Sequence, residues 1–413
     1  DLHSFPTRRS SDLLVANMLY LRWMSFYDEK EAERWKKLEQ TAGDDLLHLY
    51  QEAIRRTKQQ TRIYSASVLS EAIKVVSKCA KQENIAALFD LMLQENSKAK
   101  DGGAFQNTTP KVLAQLLVKV MQPKLGEHWH DPAAGFSGFL VEIDKYLRDS
   151  NDKYQTLTEE ERKFQITEAL SGMEFQREAA RIGFCNTRFH GLWCDVKHGD
   201  SLEAVDYQQY DGFICEPPIQ MFSLAGKQSS GTYKNKQLEF VEFILKSLSY
   251  QFEGRAAMLL PESFLYKSGW EYRHIRKFLF EQYSNHAILR LPKGIYPNTN
   301  ISMCAIFLRC RPSEDGKVLI YDMQSEKLKP ERLQDVSVFD GFIKAYHDGV
   351  FGKKGYFLSL DQLHNDDYQI NFGVDNDSEK QKMETPSYYL SEANKVVREI
   401  RSLLSRMEKE ING

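Results

Sequence analysis

The sequence predicts an α/β protein in which a mostly parallel sheet carries helices on both faces and follows an all-helical region. The first observation is that eight short β-rich runs between His128 and Met323 are separated by helical stretches. Alternation of this kind is typical of parallel sheets. The second observation is that apolar residues from Leu14 to about Leu93 recur three and four positions apart, with no proline between them. That spacing predicts amphipathic helices.

The predicted elements follow one another in chain order. A helical N-terminal domain is expected over 14–104, with its clearest pattern in LYLRWMSFYDEKEAERW and DDLLHLYQEAIRRT. A polar, glycine-bearing linker then leads to a helix with Pro110 in its first turn, where a missing N–H is tolerated. The α/β domain is expected over 105–325. Its strand candidates are HWHDPAA, SGMEF, GLWCDVKHGD, YDGFIC, GRAAMLLPE, HAILRLP, SMCAIFLRC and KVLIYDM.

The two ends of the chain have different characters. Residues 1–13 show no apolar period and resemble translated sequencing adapter, so we expect a non-native segment there and leave it out of the fold prediction. A distal extension is expected over 326–385. From Leu390 to Ile411 apolar residues step alternately by three and four, which predicts a heptad helix over 386–413. That helix could pack on its own domain or serve as a coiled-coil arm for a partner.

Length and composition indicate a globular protein of more than one domain. The chain has 413 residues, whereas single cores rarely grow past about 250–300 residues. Its formal net charge is -3, which does not by itself indicate a nucleic-acid or membrane surface. The six cysteines show no metal-ligand spacing and are too sparse for a disulfide framework, which fits a reducing cytoplasm. Arg22 breaks the longest apolar stretch well short of the ~20 residues of a bilayer span.

Acidic residues and glycines stand at the carboxyl ends of the first three predicted strands, where open α/β sheets bind ligands. Asp131 ends the first strand, and Gly135 and Gly138 follow it in a turn that lets backbone approach a ligand closely. Glu174 ends the second strand, in a position to bind a ribose hydroxyl pair, and Asp200 ends the third, in a position to reach an adenine amine. Each acid alone is better explained as a solvated strand end or a helix cap. Their common edge of the sheet favours a nucleotide-like cofactor.

The fourth predicted strand ends in CEPP, Cys215 to Pro218. Two prolines cannot continue a strand ladder, and they fix the direction of the carbonyl between them. A rigid acceptor of this kind suits the binding of an exocyclic amine.

The motifs DPAAGFSGFL, GMEF, GDSL and EPPI, in this order, resemble the adenine-specific DNA methyltransferases and, within them, the modification subunit of type I restriction-modification systems. The later stretches GRAAMLLPESFLY, IRKFLFEQYSNHAILRLPKGIYPNTNISMCAIFLRC and YFLSLDQLHNDDYQINFGVD are similar to the distal half of that subunit. The resemblance covers the chain from Leu14 to the heptad tail. It implies a class I S-adenosylmethionine-dependent methyltransferase fold with a seven-stranded mixed sheet, a helical N-terminal domain and a C-terminal helical arm.

The resemblance also implies an activity, a set of site residues and partners. The implied reaction transfers a methyl group from S-adenosylmethionine to the exocyclic amine of adenine, with the base flipped out of the DNA duplex. The implied partners are DNA and a specificity subunit that pairs with the arm, with a restriction subunit as an additional partner, in the cytoplasm. No metal is expected. The implied cofactor-binding residues are Thr109, Asp131, Ala133, Gly135, Gly138, Glu174 and Asp200, and the implied catalytic residues are Glu216, Pro217, Pro218 and Ile219.

Several departures from the family pattern fall on the chemistry. Glu216 stands where the family has an asparagine, whose oxygen accepts one amine hydrogen while the neighbouring proline carbonyl accepts the other. Its side chain is a methylene longer, and an unpaired buried carboxylate tends to take up a proton. Ile219 stands where the family has an aromatic ring that stacks on the base, and loss of that stacking typically costs ~1–3 kcal/mol. Phe136 and Ser137 place a bulky side chain and a Cβ where the backbone is expected to approach the cofactor.

These departures keep a second hypothesis open, a catalytically silent relative that acts as a DNA-binding or scaffold subunit. A nicotinamide-dependent oxidoreductase is disfavoured, because the turn lacks a full Gly-x-Gly-x-x-Gly pattern. His128 and His130 lie on opposite faces of a strand and have no third ligand nearby, so a structural role is expected. Arg290 and Lys293 could contact a DNA phosphate, although a solvated loop explains them as well.

Overall fold

A single mixed sheet organises the protein. The computed structural model describes residues 8–57, 63, 65–97, 108–203, 210–218, 233, 235–248, 253–297, 299–310, 316–326, 328–329 and 331–372. Within these residues the sheet has nine strands. The strands are β1 (Trp129–Asp131), β2 (Leu170–Glu174), β3 (Asp195–His198), β4 (Gly212–Cys215), β5 (Arg255–Pro261), β6 (Ser284–Arg290), β7 (Met303–Arg309), β8 (Lys317–Asp322) and β9 (Gly355–Ser359).

The strand order is β3-β2-β1-β4-β5-β7-β6-β8-β9. Pairing from β3 to β5 is parallel, β7 runs antiparallel to both of its neighbours, β8 is parallel to β6, and β9 is antiparallel to β8. The eight predicted strands and the mostly parallel sheet are confirmed. The seven-stranded mixed sheet forms the part from β3 to β6, and β8 and β9 extend it at one edge. The sequence analysis did not predict β9, a short edge strand in which none of the five residues is buried.

Helices cover both faces of this sheet, as predicted. Ile214 and Leu259 point toward α6 and α7 in one continuous core. Phe213, next to Ile214 in β4, points the other way and meets the ring of Phe243 in α10. The helices are α1 (Arg8–Met24), α2 (Glu29–Gln40), α3 (Gly43–Arg56), α4 (Ala66–Cys79), α5 (Ile85–Ser97), α6 (Lys111–Met121), α7 (Gly138–Ser150), α8 (Glu159–Thr167), α9 (Arg177–Phe189), α10 (Lys236–Ser247), α11 (Ser263–Tyr266), α12 (Trp270–Gln282), α13 (Asp340–Asp348) and α14 (Leu360–Asn365).

The N-terminal helices are built onto the sheet through α9. Helices α1 to α5 enclose a core of their own, and α9 contributes Ile182, Cys185 and Phe189 to it. Arg181 of α9 also donates a hydrogen bond from Nε to Oδ1 of Asn17 in α1, at 2.9 Å. The predicted helical character of this region is confirmed. Pro110 immediately precedes α6 as its N-cap.

The chain order creates a crevice at one edge of the sheet. The chain runs from β1 outward to β3 and then returns to place β4 on the other side of β1. The connections that leave β1 and β4 therefore diverge, and ligands of open α/β sheets bind at such a point. Asp131 and Glu216 lie at these two strand ends.

The described residues up to Ile370 form one compact unit, and the predicted domain boundaries within it stay predictions. The heptad helix over 386–413 and most of segment 1–13 lie outside the described residues, as does the distal extension beyond residue 372. None of the helices within the described ranges is long and apolar enough to cross a bilayer.

Candidate cofactor and acceptor site

The turn between β1 and α7 begins with a buried acid. Asp131 accepts a hydrogen bond on Oδ1 from the backbone N–H of Ala133, at 3.1 Å. Its Oδ2 is buried and accepts no full hydrogen bond from any described residue, although the Cys215 thiol lies beside the carboxyl. Burial raises the pKa of Asp131 to about 8, and the negative charges of Glu174 and Glu216 add to this rise against the Ala133 hydrogen bond. Glu174 and Glu216 are thus both near enough to Asp131 to influence its protonation.

Glu174 fixes the same turn from the end of β2. Its Oε2 accepts the backbone N–H of Gly135 at 2.9 Å, and its Oε1 accepts that of Gln176 at 2.7 Å. Burial raises the pKa of Glu174, and the backbone hydrogen bonds oppose that rise. Each carboxylate oxygen keeps further acceptor capacity. The ribose role assigned to Glu174 stays a prediction.

The end of β3 is tied to the turn as well. Ser201 donates from Oγ to the carbonyl of Pro132 at 2.5 Å. Next to it, Asp200 accepts the backbone N–H of Leu202 on Oδ1 at 2.9 Å. The structure therefore brings the carboxyl ends of β1, β2 and β3 to one edge, as predicted.

Helix α9 packs against the turn between β1 and α7. A Cβ placed on Gly183 would lie 2.5 Å from the Ser137 Oγ and 2.9 Å from the Gly135 carbonyl oxygen. Asn186, one helical turn later, donates from Nδ2 to the Phe136 carbonyl at 2.8 Å. This close packing is possible because Gly183 has no side chain.

The expectation that Phe136 and Ser137 crowd the cofactor edge is wrong. The Phe136 side chain packs against the core of the N-terminal helices. Ser137 has a φ of 61° and is fully buried, which turns its side chain toward α9. Gly138, in contrast, is exposed, and a Cβ added there would meet no atom within 4 Å. The open space lies in front of the start of α7.

The acceptor position after β4 holds a carboxyl between two hydroxyls. Thr109 donates from Oγ1 to Oε2 of Glu216 at 2.5 Å, and Tyr296 donates from its OH to Oε1 at 2.9 Å. Burial raises the pKa of Glu216 to about 7, and the two hydroxyl donors act to lower it. The predicted tendency of Glu216 to take up a proton is confirmed in direction. The carboxyl is not unpaired, however, as the sequence interpretation assumed.

Two residues that contact the acceptor carboxyl differ from what the sequence predicted. Thr109, predicted among the cofactor-binding residues, places its hydroxyl on the acceptor carboxyl. Tyr296 was missed, although it lies in a stretch that resembles the family and in the loop after a strand end. Pro217 is buried and Pro218 half-buried, while Ile219 lies outside the described residues. The roles of all four catalytic candidates stay predictions.

The acids fit a cationic ligand. Among the described residues, no lysine or arginine forms an ion pair with Asp131, Glu174 or Glu216. A positive charge placed among these carboxyls would favour their ionised forms. S-adenosylmethionine carries a sulfonium and an ammonium group. The unsatisfied Asp131 Oδ2 and the open space at Gly138 therefore fit this cofactor.

The other candidate residues have structural roles. His130 stacks on the ring of Tyr210, with the ring centroids 4.7 Å apart, and burial lowers its pKa to about 4. No group of three metal-binding side chains occurs in the part of the chain that the structure describes. Arg290 donates to Glu262 Oε1 at 2.6 Å and to Asp322 Oδ2 at 2.5 Å, so its guanidinium is engaged inside the protein rather than presented to a phosphate.

The strand order, the antiparallel β7 and the acidic strand ends define a class I S-adenosylmethionine-dependent methyltransferase fold. Residues 80–384 match the family model for N-6 DNA methylases. The chain belongs to that family.

Similar proteins include type I methylase subunits. The chain is 28% identical over 264 residues to the type I restriction enzyme StySPI methylase subunit of Salmonella potsdam, an alignment that covers 59% of this chain and 49% of that protein. The EcoKI methylase subunit of Escherichia coli K12 gives the same identity and coverage. The chain thus spans about half the length of these curated relatives.

Solved structures agree on the fold. The crystal structure of the EcoKI M protein has a TM-score of 0.60 at 20% identity and covers 99% of this chain and 93% of that one. A modification subunit of a putative type I restriction enzyme from Vibrio vulnificus has a TM-score of 0.61 at 22% identity and covers 80% of this chain and 72% of that one. At these identities the likeness establishes the fold alone.

Proposed function

We propose that this chain is the methylating subunit of a type I restriction-modification system, which transfers a methyl group from S-adenosylmethionine to the exocyclic amine of adenine in DNA. One observation supports this most strongly. A carboxyl acceptor held by Thr109 and Tyr296 lies at the end of β4, next to the acid at the end of β1. A ligand held by the acids and a base held by the acceptor would therefore lie side by side.

The cofactor would be held by residues of three strand ends. Asp131, Glu174 and Asp200 offer carboxylate oxygens, and the turn at Gly135 and Gly138 offers backbone. Bound S-adenosylmethionine supplies an electrophilic methyl group. We assign no binding role to the Phe136 and Ser137 side chains, because both are directed into the protein.

The acceptor residues would raise the nucleophilicity of the target amine. The lone pair of an exocyclic amine is delocalised into the base, and hydrogen bonds accepted from its two hydrogens shift electron density back to nitrogen. Ionised Glu216 can accept one hydrogen, and the carbonyl between Pro217 and Pro218 can accept the other. Protonated Glu216 loses part of that acceptor capacity.

Partners follow from the same proposal. A structure solved in a study of complex assembly of a type I R-M system has a TM-score of 0.74 and covers 98% of this chain. We propose that DNA, a specificity subunit and a restriction subunit join this chain, which would then work in the cytoplasm. The net charge of -3 is consistent with DNA contacts shared between subunits.

The test has two parts. Titration calorimetry should show S-adenosylmethionine binding, and tritiated methyl should pass to adenine in DNA once a specificity partner is supplied. A matched D131N variant should bind the cofactor more weakly. No cofactor binding by the unaltered protein at millimolar concentration would refute the proposal.

The silent relative remains the second candidate, because burial raises the pKa of Glu216 to about 7 and the protonated form loses part of its acceptor capacity. A silent subunit would bind DNA in the assembled complex without methyl transfer.

A further inference from the structure

Tyr296 contacts the acceptor carboxyl from a distant part of the chain. It lies in the connection between β6 and β7, 80 positions after Glu216. Thr109 reaches the same carboxyl from the segment before α6, 107 positions earlier in the chain. Two connections that are remote in sequence therefore converge on one side chain at the carboxyl edge of the sheet.

Each oxygen of the Glu216 carboxyl accepts one of the two hydrogen bonds. Tyr296 donates to Oε1 and Thr109 donates to Oε2. An ionised carboxylate offers about four lone-pair sites, so each oxygen keeps one for another donor. Terminal torsions of glutamate are broad when free, and a donor on each oxygen fixes the plane of the group. A longer and more flexible side chain than asparagine is thereby held in one orientation.

We propose that Tyr296 and Thr109 are positioning residues, which together hold the Glu216 carboxylate as an oriented acceptor for the target amine. The inference rests on the proposed function, because the amine belongs to it. It adds Tyr296, to which the sequence analysis assigns no role, and it gives Thr109 a role at the acceptor in addition to the predicted one at the cofactor. It also explains how a glutamate can serve at this position.

The electrostatic surroundings of Glu216 make its protonation depend on these two hydroxyl donors. Among the described residues, the groups that interact with it are Thr109 before α6, Tyr296 after β6, Asp131 at the end of β1 and Cys215 in its own strand. None of them brings a positive charge. Burial raises the pKa of Glu216 to about 7, and the two hydroxyls are the groups that lower it. Loss of either hydroxyl should therefore raise the pKa of Glu216 further and leave less carboxylate at neutral pH.

The experiment is an infrared pH titration of the full chain without ligands. The carbonyl stretch of a protonated carboxyl is followed, and E216Q identifies the Glu216 band, since Asp131 titrates nearby. Y296F and T109V should each raise the midpoint of that band by about 1–2 pH units, the equivalent of one hydrogen bond to a charged group. T109S keeps the hydroxyl and should restore the original midpoint.

Tyr283 provides a matched control. Its hydroxyl is buried and donates to the Leu245 carbonyl at 2.6 Å, so Y283F removes a buried tyrosine hydrogen bond away from the acceptor. Y283F should leave the Glu216 midpoint unchanged. If Y296F moves the midpoint no more than Y283F does, Tyr296 is not a positioning residue. If Y296F fails to fold, T109V and T109S decide the question, and equal midpoints for these two would overturn the inference.

Methyl transfer separates this inference from the proposed function. Transfer by the unaltered protein combined with an unmoved midpoint in Y296F and T109V would overturn the inference and leave the function standing. Shifted midpoints without any methyl transfer in the assembled complex would support the two hydroxyl contacts and overturn the proposed function.

Discussion

Replacing Gly183 with alanine tests whether α9 supports the cofactor turn. The added Cβ would lie 2.5 Å from the Ser137 Oγ and 2.9 Å from the Gly135 carbonyl oxygen, and real Cβ atoms do not approach so closely. Overpacking of this kind typically costs about 1–3 kcal/mol. Alanine is favoured over glycine within a helix by about 1 kcal/mol. The overpacking cost therefore exceeds or equals the gain in helix propensity, and we expect a net destabilisation of about 0–2 kcal/mol.

Most of this strain falls on the cofactor turn, because both clashing atoms belong to it. We expect the Kd for S-adenosylmethionine to rise about five- to tenfold, the equivalent of about 1–1.4 kcal/mol. Calorimetry measures the Kd, and thermal unfolding without ligand measures the stability. G352A is the control, since a Cβ there meets no atom within 4 Å and its φ is not in the left-handed region. A G183A variant with unchanged cofactor affinity and higher stability would refute the reasoning.

Three further predictions concern the acceptor and the ion pair between Arg290 and Glu262. The rate of methyl transfer should rise about tenfold per pH unit below pH 7 and level off above it. The reason is that burial raises the pKa of Glu216 to about 7 and that the ionised form is the acceptor. If the E216N variant shows the same rise with pH, Glu216 is not its cause. Glu216→Asn together with Ile219→Tyr should raise methyl transfer well above that of the unaltered chain, and intact cofactor binding without any gain would contradict our account of these substitutions. Arg290→Met should lower the free energy of unfolding, measured in urea, by about 3–5 kcal/mol, because it leaves the buried Glu262 carboxylate without its ion-pair partner. The double variant R290M/E262L should recover part of this loss. An R290M variant as stable as the unaltered protein would show that the ion pair is not needed for stability.

The sheet was predictable because its strands are apolar runs bounded by clear turn residues. The runs from β4 to β8 are almost wholly buried, and burial on both faces gives a continuous apolar signal. Strand β9 gave no such signal, because its residues lie at the sheet edge and are half exposed. Residues at the carboxyl ends of parallel strands, such as Asp131 and Glu174, could be assigned to one edge of the sheet.

The contacts between distant connections were not predictable in this way. Tyr296 reaches Glu216 across 80 positions from a loop without periodicity. Ser137 adopts a left-handed backbone with a φ of 61°, so the order of residues in the turn does not tell which way its side chain points. Arg290 ends a strand as Asp131 and Glu174 do, but its partners Glu262 and Asp322 come from two other strand ends. Loop packing decided all three cases.

Helix α9 belongs both to the core of the N-terminal helices and to the support of the cofactor turn. One side of it completes the core of the N-terminal helices through Ile182, Cys185 and Phe189, and the other side carries Gly183 and Asn186 against the cofactor turn. A chimera that joined the N-terminal helices of one relative to the sheet of another would have to choose which parent supplies α9. Either choice leaves one of its two interfaces mismatched, so the helical region and the cofactor turn are expected to diversify together among relatives.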